Sequence, residues 1–275
     1  MAVETGRGTW HGEGKETTVN SRTGSVTIVI PAYNESERLP PTLERVIEYV
    51  QKQDRKVDLI VVDDGSQDGT GELARQVVGD RIPLTVLVNQ PNRGKGYSVR
   101  RGMLEATGDY VLFTDADLST PIEELDALVA EIEAGADIAI GSRAMPGSRI
   151  EVHQPWWRER AGRLFGFVTR LIALPGIYDS QCGFKLFCRE AAQAIFPLQT
   201  LEGWAFDVEV LVIARKLGFR VAQVPVRWVN DPKSKVHMLS DGLKMVADMI
   251  KIRWKHRRLR PLCDGSKPSE ATPRA

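Results

Sequence analysis

The segment Tyr110-Val-Leu-Phe-Thr-Asp-Ala-Asp-Leu-Ser-Thr-Pro121 decides the fold. An apolar run suited to a protein interior ends abruptly in two aspartates, Asp115 and Asp117. Such a strand ends in charge only if it leaves the core at that point. Thr120-Pro121-Ile122-Glu123 then reads as the N-cap, N1 proline and capping-box glutamate of a helix. That helix sets Ile122, Leu125, Leu128, Val129 and Ile132 on one face. Buried strand, polar loop and amphipathic helix together make one β-α unit.

The unit repeats on both sides. VTIVIP (26–31), VDLIVVDD (57–64), LTVLV (84–88) and DIAIGS (137–142) read as short buried strands. Residues 39–50 place Leu39, Leu43, Val46, Ile47 and Val50 on one helical face. Residues 68–79 do the same with Leu73, Ala74, Val77 and Val78, and residues 96–107 form a further helix. This alternation predicts an α/β fold, with a mostly parallel sheet and helices on both faces. Ligands of such sheets bind outside the carboxyl ends of the strands. PAYNE follows the first strand, DDGS the second, NRGKG the third, DAD the fourth and GSR the fifth. Five polar clusters are therefore expected on one rim.

After Arg143 the alternation stops. We expect a helix near 156–174, a strand at CGFKLF, helices at 189–196 and 206–217 and a strand at RVAQVPVRWV (220–229). Gly218 ends the second of those helices, and a last helix spans 237–258. No internal repeat is visible. The expected division is a disordered segment at 1–24, a catalytic domain at 25–258 and a disordered tail at 259–275.

The chain has 275 residues, 42% hydrophobic and 27% charged, which suits one large domain. A net charge of +1 argues against a whole-molecule polyanion binder, and no aromatic-interleaved platform points to nucleic acid. Cys182, Cys188 and Cys263 form no CxxC pair, so we expect reduced thiols rather than a disulfide framework or a zinc site. The N-terminal stretch has no apolar leader, and no window offers about 18 uninterrupted apolar residues. Neither a signal peptide nor a transmembrane helix is expected.

Two carboxylates at spacing two on a loop can chelate one hard divalent cation, Mg2+ or Mn2+, which then takes diphosphate oxygens as further ligands. The bland alternative for Asp117 is loop polarity ahead of Thr120. Asp63 and Asp64 can accept hydrogen bonds from a base or ribose, or shape an Asx turn into the next helix. Asp68 and Gly69 fit that turn. Lys95, between Gly94 and Gly96, can pair with phosphate. No GxGxxG follows the first strand and no GxxxxGK[ST] occurs, which disfavours a nicotinamide dinucleotide site and a P-loop.

Taken in order, PAYNE, VVDDGS, NRGKG and DAD resemble the inverting, GT-A type family 2 glycosyltransferases. GSRA (141–144), DSQCGFKLF (179–187), WAFDVEVL (204–211) and SK (234–235) narrow the resemblance to dolichyl-phosphate β-glucosyltransferases and their bacterial relatives, over residues 25–256. It implies a Rossmann-like GT-A sheet with C-terminal helices on the acceptor side. It also implies transfer of a hexose, glucose from UDP-glucose, to a polyprenyl or dolichyl phosphate. Pro31, Tyr33, Glu35, Asp63 and Asp64 would then bind the nucleotide, with Asp64 facing the base and Lys95 beside it. Asp115 would meet the ribose or the metal, Ala116 would lie between, and Asp117 would hold the metal at the diphosphate. Arg143 would meet the lipid phosphate, with Arg158 or Arg163 as a second cation. Gln181 and Lys185 would belong to the sugar and acceptor side. Asp207 and Glu209 would lie near the reaction centre, and Ser234 and Lys235 on a closing loop. The sequence departs from the family after DAD, where Leu118-Ser119-Thr120 replaces the usual Gly-Ala-Thr. Its late loop reads NDPKSK, and the membrane anchor of eukaryotic members is not seen. The alternatives are a family 2 enzyme using GDP-mannose or another acceptor, and a non-catalytic nucleotide-sugar binder.

A lipid acceptor requires contact with a membrane. The helix near 156–174 opens with Trp156-Trp157 and carries Phe165, Phe167, Val168, Leu171 and Ile172. The last helix ends in KIRWKHRRLR, a pattern suited to an anionic inner leaflet. The apolar stripe of that helix fits a buried face equally well. The expected location is peripheral, on the cytoplasmic face of a membrane.

Overall fold

The computed structural model describes residues 24–152, 156–229 and 248–262. Its centre is a seven-stranded sheet in the order β3-β2-β1-β4-β7-β5-β8. The strands are β1 (Val26–Ala32), β2 (Val57–Asp63), β3 (Leu84–Val88), β4 (Tyr110–Thr114), β5 (Ile138–Ser142), β7 (Phe184–Cys188) and β8 (Val221–Pro225). All seven residues of β1 are buried, because helices cover both faces of the sheet. Alternate side chains of β1 go to opposite faces. Val26, Ile28 and Ile30 pack with α1 (Leu39–Val50), α2 (Thr70–Val78) and α4 (Leu125–Glu133). Val29 packs with α3 (Lys95–Glu105), α6 (Arg189–Ile195) and α7 (Phe206–Leu217). Met249 and Ile252, on a helix over 248–255, close that second core.

The sheet is parallel except for β7, which runs antiparallel between β4 and β5. From β1 the chain builds outward through β2 and β3, then returns to lay β4 on the other side. The β1/β4 boundary is thus a switch point, where neighbouring loops diverge and leave a crevice. PAYNE and DAD flank that crevice.

Two local expectations fail. Ile122–Glu124 is a 3-10 turn ahead of α4, and no side chain caps it. The Thr120 hydroxyl instead lies 3.6 Å from the buried Cys182 sulfur. The run 220–229 is not one strand. β8 ends at Pro225 beside β5, and β9 (Arg227–Val229) pairs with β6 (Arg149–Val152) in a separate two-stranded sheet. Pro225 has no N–H to extend the ladder, so the chain changes sheets there. In α2, Ala74 and Val78 are buried, whereas Leu73 and Val77 are half-buried. Among the described residues, no helix is long and apolar enough to cross a membrane.

Candidate active site

A cavity of about 420 Å³ opens over the carboxyl ends of β1, β2 and β4. It is lined by Pro31, Ala32, Tyr33 and Glu35 after β1, Asp64 after β2, and Asp115, Ala116 and Asp117 after β4. Gly94, Lys95 and Ser98 close it from the start of α3, and Gly203 and Trp204 from the loop before α7. The fold therefore gathers four of the five polar clusters around one space.

Asp64 is almost fully buried and held by the Asn89 side chain and two backbone N–H groups. Its Oδ1 accepts the Asn89 amide at 2.7 Å and the Arg93 N–H at 3.0 Å, and its Oδ2 accepts the Gly94 N–H at 2.7 Å. Asp63 does not line the cavity. Its Oδ1 accepts the Ser66 N–H at 2.8 Å, which is the Asx turn. Asp68 accepts from the Thr70 N–H and hydroxyl and from the Ser36 N–H. Burial opposes that arrangement, but these bonds outweigh it and hold the Asp68 carboxyl at about 2.

The two aspartates differ in surroundings. Lys95 Nζ stands 2.6 Å from Asp115 Oδ1. Asp115 Oδ2 fits against Gly183, where a Cβ would come within 2.0 Å. Asp117 Oδ1 accepts the Ser119 N–H at 3.0 Å, and Arg38 Nη1 lies 3.8 Å from its Oδ2. Burial, then the charge of Asp115, push the Asp117 carboxyl above its ordinary value. Burial works against the Lys95 ammonium, yet Asp115 and Asp207 raise its pKa. Among the described residues no cluster of three or more His, Cys, Asp or Glu side chains gathers to hold a metal ion. Two carboxylates at the wall of an open cavity nevertheless fit a hard cation completed by diphosphate and water.

Arg38 is a lining residue that no motif reveals. Its guanidinium grips Glu35 through Nε at 2.6 Å and Nη2 at 2.5 Å. Its nearness to Asp117 is tertiary: α1 docks on the aspartate loop, with the Thr42 hydroxyl donating to Ala116 O at 2.8 Å. Asn92, which opens NRGKG, and Trp204, which opens WAFDVEVL, also line the cavity, although the motifs give neither an individual role.

The fifth cluster lies outside the cavity lining. Arg143 donates to Asp179 through Nε at 2.7 Å and Nη2 at 2.9 Å, and through its backbone N–H at 3.0 Å. Burial opposes both charges, but the pair raises the Arg143 pKa and holds Asp179 at about 2. Arg143 also feels Asp115 and lies over the Trp228 ring at 5.4 Å.

Asp207 and Glu209 do not reach the cavity surface. Asp207 accepts from Lys185 Nζ at 2.5 Å, and Lys185 is itself buried and donates to Cys182 O at 2.6 Å. Burial raises the Asp207 carboxyl despite Lys185. Glu209 is fully enclosed and accepts four hydrogen bonds from Thr200, Leu201 and His256. A carboxylate so engaged has no approach to a reacting oxygen. The Gln181 backbone N–H donates to Asp179 Oδ1 at 3.1 Å. The side chains of Arg158 and Arg163, and residues Ser234 and Lys235 altogether, lie outside the described residues, as do Trp157, Phe165 and Cys263.

A sequence model for Glycosyl transferase family 2 matches residues 27–196. A dolichyl-phosphate beta-glucosyltransferase of Trichomonas vaginalis is 38% identical over 239 residues, covering 82% of this chain and 70% of that protein. The Homo sapiens dolichyl-phosphate beta-glucosyltransferase is 33% identical over 252 residues, covering 86% and 77%. Among solved structures, mannosyl-3-phosphoglycerate synthase from Rubrobacter xylanophilus superposes with a TM-score of 0.64 at 21% identity, over 86% of this chain and 74% of that one. Glucosyl-3-phosphoglycerate synthase from Mycobacterium tuberculosis, in complex with Mn2+, UDP-glucose and phosphoglyceric acid, gives 0.60 at 18% identity, over 84% and 79%. These two likenesses concern the fold.

Proposed function

Because this chain belongs to glycosyl transferase family 2 and is a glycosyltransferase, we propose that it moves glucose from UDP-glucose to a polyprenyl or dolichyl phosphate. The names of its relatives at 33–38% identity support that acceptor and that sugar. The observation that carries the reading is the opposed pair of carboxylate stations in one cavity: Asp64 at one side, Asp115 and Asp117 at the other. A nucleoside diphosphate needs both, a hydrogen-bond acceptor for its base and a cation site for its phosphates.

In this reading Asp64 Oδ2 accepts the N3–H of uracil beside the Gly94 bond. Pro31, Tyr33 and Glu35 bound the base, and Lys95 lies along the phosphates. Mg2+ or Mn2+ held by Asp115 and Asp117 would supply Lewis acidity to the diphosphate oxygens. The acceptor phosphate is already anionic and needs little help from a base. The obstacle is repulsion: two unit charges about 4 Å apart cost about 4 kcal/mol at an intermediate dielectric. Arg143, fixed by Asp179, offers the acceptor phosphate a charge that stays in place. An acceptor oxygen forms a bond to the anomeric carbon as the bond to the UDP oxygen breaks. In-line displacement turns an α-linked donor into a β-linked glucosyl-phosphoryl lipid. Arg158 or Arg163, with Ser234 and Lys235, would complete the acceptor side.

The lipid would be met at a membrane surface by the face that joins α5 (Trp156–Ile172) to the last helix. Trp156, Leu164, Phe167, Leu171, Ile250 and Trp254 are exposed there. Arg253 donates to Ile172 O across the joint, and Arg160 and Arg257 stack on Trp156 and Trp254. Apolar side chains ringed by arginine suit a headgroup boundary. The test is direct. The purified protein is incubated with polyprenyl phosphate and, separately, UDP-glucose or GDP-mannose, and the extracted lipid is identified. A β-glucosyl lipid from UDP-glucose supports the proposal; a mannosyl lipid, or no lipid product, overturns it.

A further inference from the structure

The segment Gln199–Trp204, part of no helix or strand, ends in Gly203 and Trp204, which line the donor cavity. It is docked on the start of α3. Glu202 O accepts the Gly96 N–H at 2.7 Å, and the Gln199 amide donates to Gly96 O and Leu201 O, both at 2.9 Å. A Cβ at Gly96 would stand 2.4 Å from Leu201 O, so only glycine lets the two backbones meet. Lys95 Nζ lies 5.1 Å from the centre of the Trp204 ring. Where the segment sits therefore decides where Lys95 and Trp204 sit.

Glu209 grips this segment from behind. Its Oε2 accepts the N–H groups of Thr200 at 2.9 Å and Leu201 at 2.7 Å. Its Oε1 takes the Thr200 hydroxyl at 2.7 Å and His256 Nε2 at 2.8 Å. Burial pushes its pKa up, but the bonds from His256, Leu201 and Thr200 outweigh this and hold it below its ordinary value. An ionised carboxylate only accepts, so His256 Nε2 is the donor in this pair. His256 directly follows the helix that buries Met249 and Ile252 and exposes Ile250 and Trp254.

We infer that Glu209 and His256 are positioning residues for the donor. They clamp the Gln199–Trp204 wall against α3 and tie it to the last helix. Neither lines the cavity, so neither touches the donor. The inference rests on the donor site proposed above and adds what holds it in shape.

His256→Phe removes the N–H, and His256→Gln restores a donor at similar reach. Three quantities are measured on the whole protein: UDP affinity by calorimetry with Mn2+, the separate KM values for donor and acceptor, and backbone amide exchange. In His256→Phe, UDP affinity should fall and donor KM rise by about fivefold or more. Acceptor KM and kcat at saturating donor should stay within about twofold of wild type. Amide exchange at Gly96, Thr200 and Leu201 should quicken, and His256→Gln should recover most of both effects. Glu209→Gln should weaken UDP binding at least as much. A lower melting temperature with unchanged UDP affinity and donor KM would overturn the inference, as would His256→Gln behaving like His256→Phe. The affinities are compared as ratios, using whichever of UDP and GDP the wild type binds. Failure of the uridine assignment then changes the probe and not the ratio.

Discussion

Leu118 shows how one residue carries both strain and packing. It follows the aspartate pair with φ 47°, in the left-handed region that glycine favours. The family pattern that this sequence resembles has glycine here. This chain keeps leucine because the side chain is buried in the core beside α1 and α4, 2% exposed. Leu118→Ala should cost about 2–4 kcal/mol of packing. Leu118→Gly loses the same packing but relieves about 1 kcal/mol of left-handed strain. Urea denaturation should therefore find the glycine variant more stable than the alanine variant, the reverse of the usual order. Asp179 supports a second prediction at this scale. Its folded pKa, about 2, lies below the ordinary 3.8. The stability from its pairing with Arg143 is present above pH 4 and is lost as the pH falls through 2. Asp179→Asn should remove on the order of 2 kcal/mol at neutral pH and flatten that part of the acid-denaturation curve. The roles of single residues were unevenly legible in the sequence. Asp64, Asp115 and Asp117 stand at strand ends and Lys95 opens the helix after β3, so period and position located them at the cavity. Arg38 and the separate fates of Asp63 and Asp64 depend on which way each side chain turns, and spacing does not encode that.

Gly183 matters at the level of elements, because β7 is laid against the aspartate loop at this point. The Asp115 N–H donates to Gly183 O at 3.2 Å. A Cβ on Gly183 would occupy the space of the Asp115 carboxylate. Gly183→Ala should lower UDP affinity in the presence of Mn2+ by about tenfold or more, since Asp115 must move. It should leave far-ultraviolet circular dichroism unchanged. Unaltered affinity would show that Asp115 is not held by β7. The β-α repeat up to β5 was legible because each strand is a short apolar run and each helix has one apolar face. The second half was less so. CGFKLF reads as a strand in either direction, and only its partners β4 and β5 make it antiparallel. RVAQVPVRWV keeps one alternation across Pro225, so its division between two sheets leaves no periodic trace.

For the molecule as a whole, the proposed function gives the cavity, the Arg143–Asp179 pair and the exposed face of α5 and the last helix distinct tasks: donor, acceptor phosphate and lipid surface. The apolar positions of the last helix proved to be of both kinds: Met249 and Ile252 are core, while Ile250 and Trp254 face outward. Periodicity alone could not divide them. The double variant Leu171→Ser, Trp254→Ser should reduce sedimentation with vesicles containing anionic lipid several-fold and leave UDP affinity unchanged. Equal sedimentation of variant and wild type would remove this face from the lipid-binding account.

In the proposed function everything depends on Asp115 and Asp117 binding the donor diphosphate through a divalent cation. Calorimetric titration of UDP into wild type and Asp117→Asn, each with Mn2+ and with EDTA, tests it most directly. Wild type with Mn2+ should bind UDP at least about tenfold more tightly than wild type with EDTA, and Asp117→Asn should lose that difference. Equal UDP affinity under all four conditions would contradict the claim.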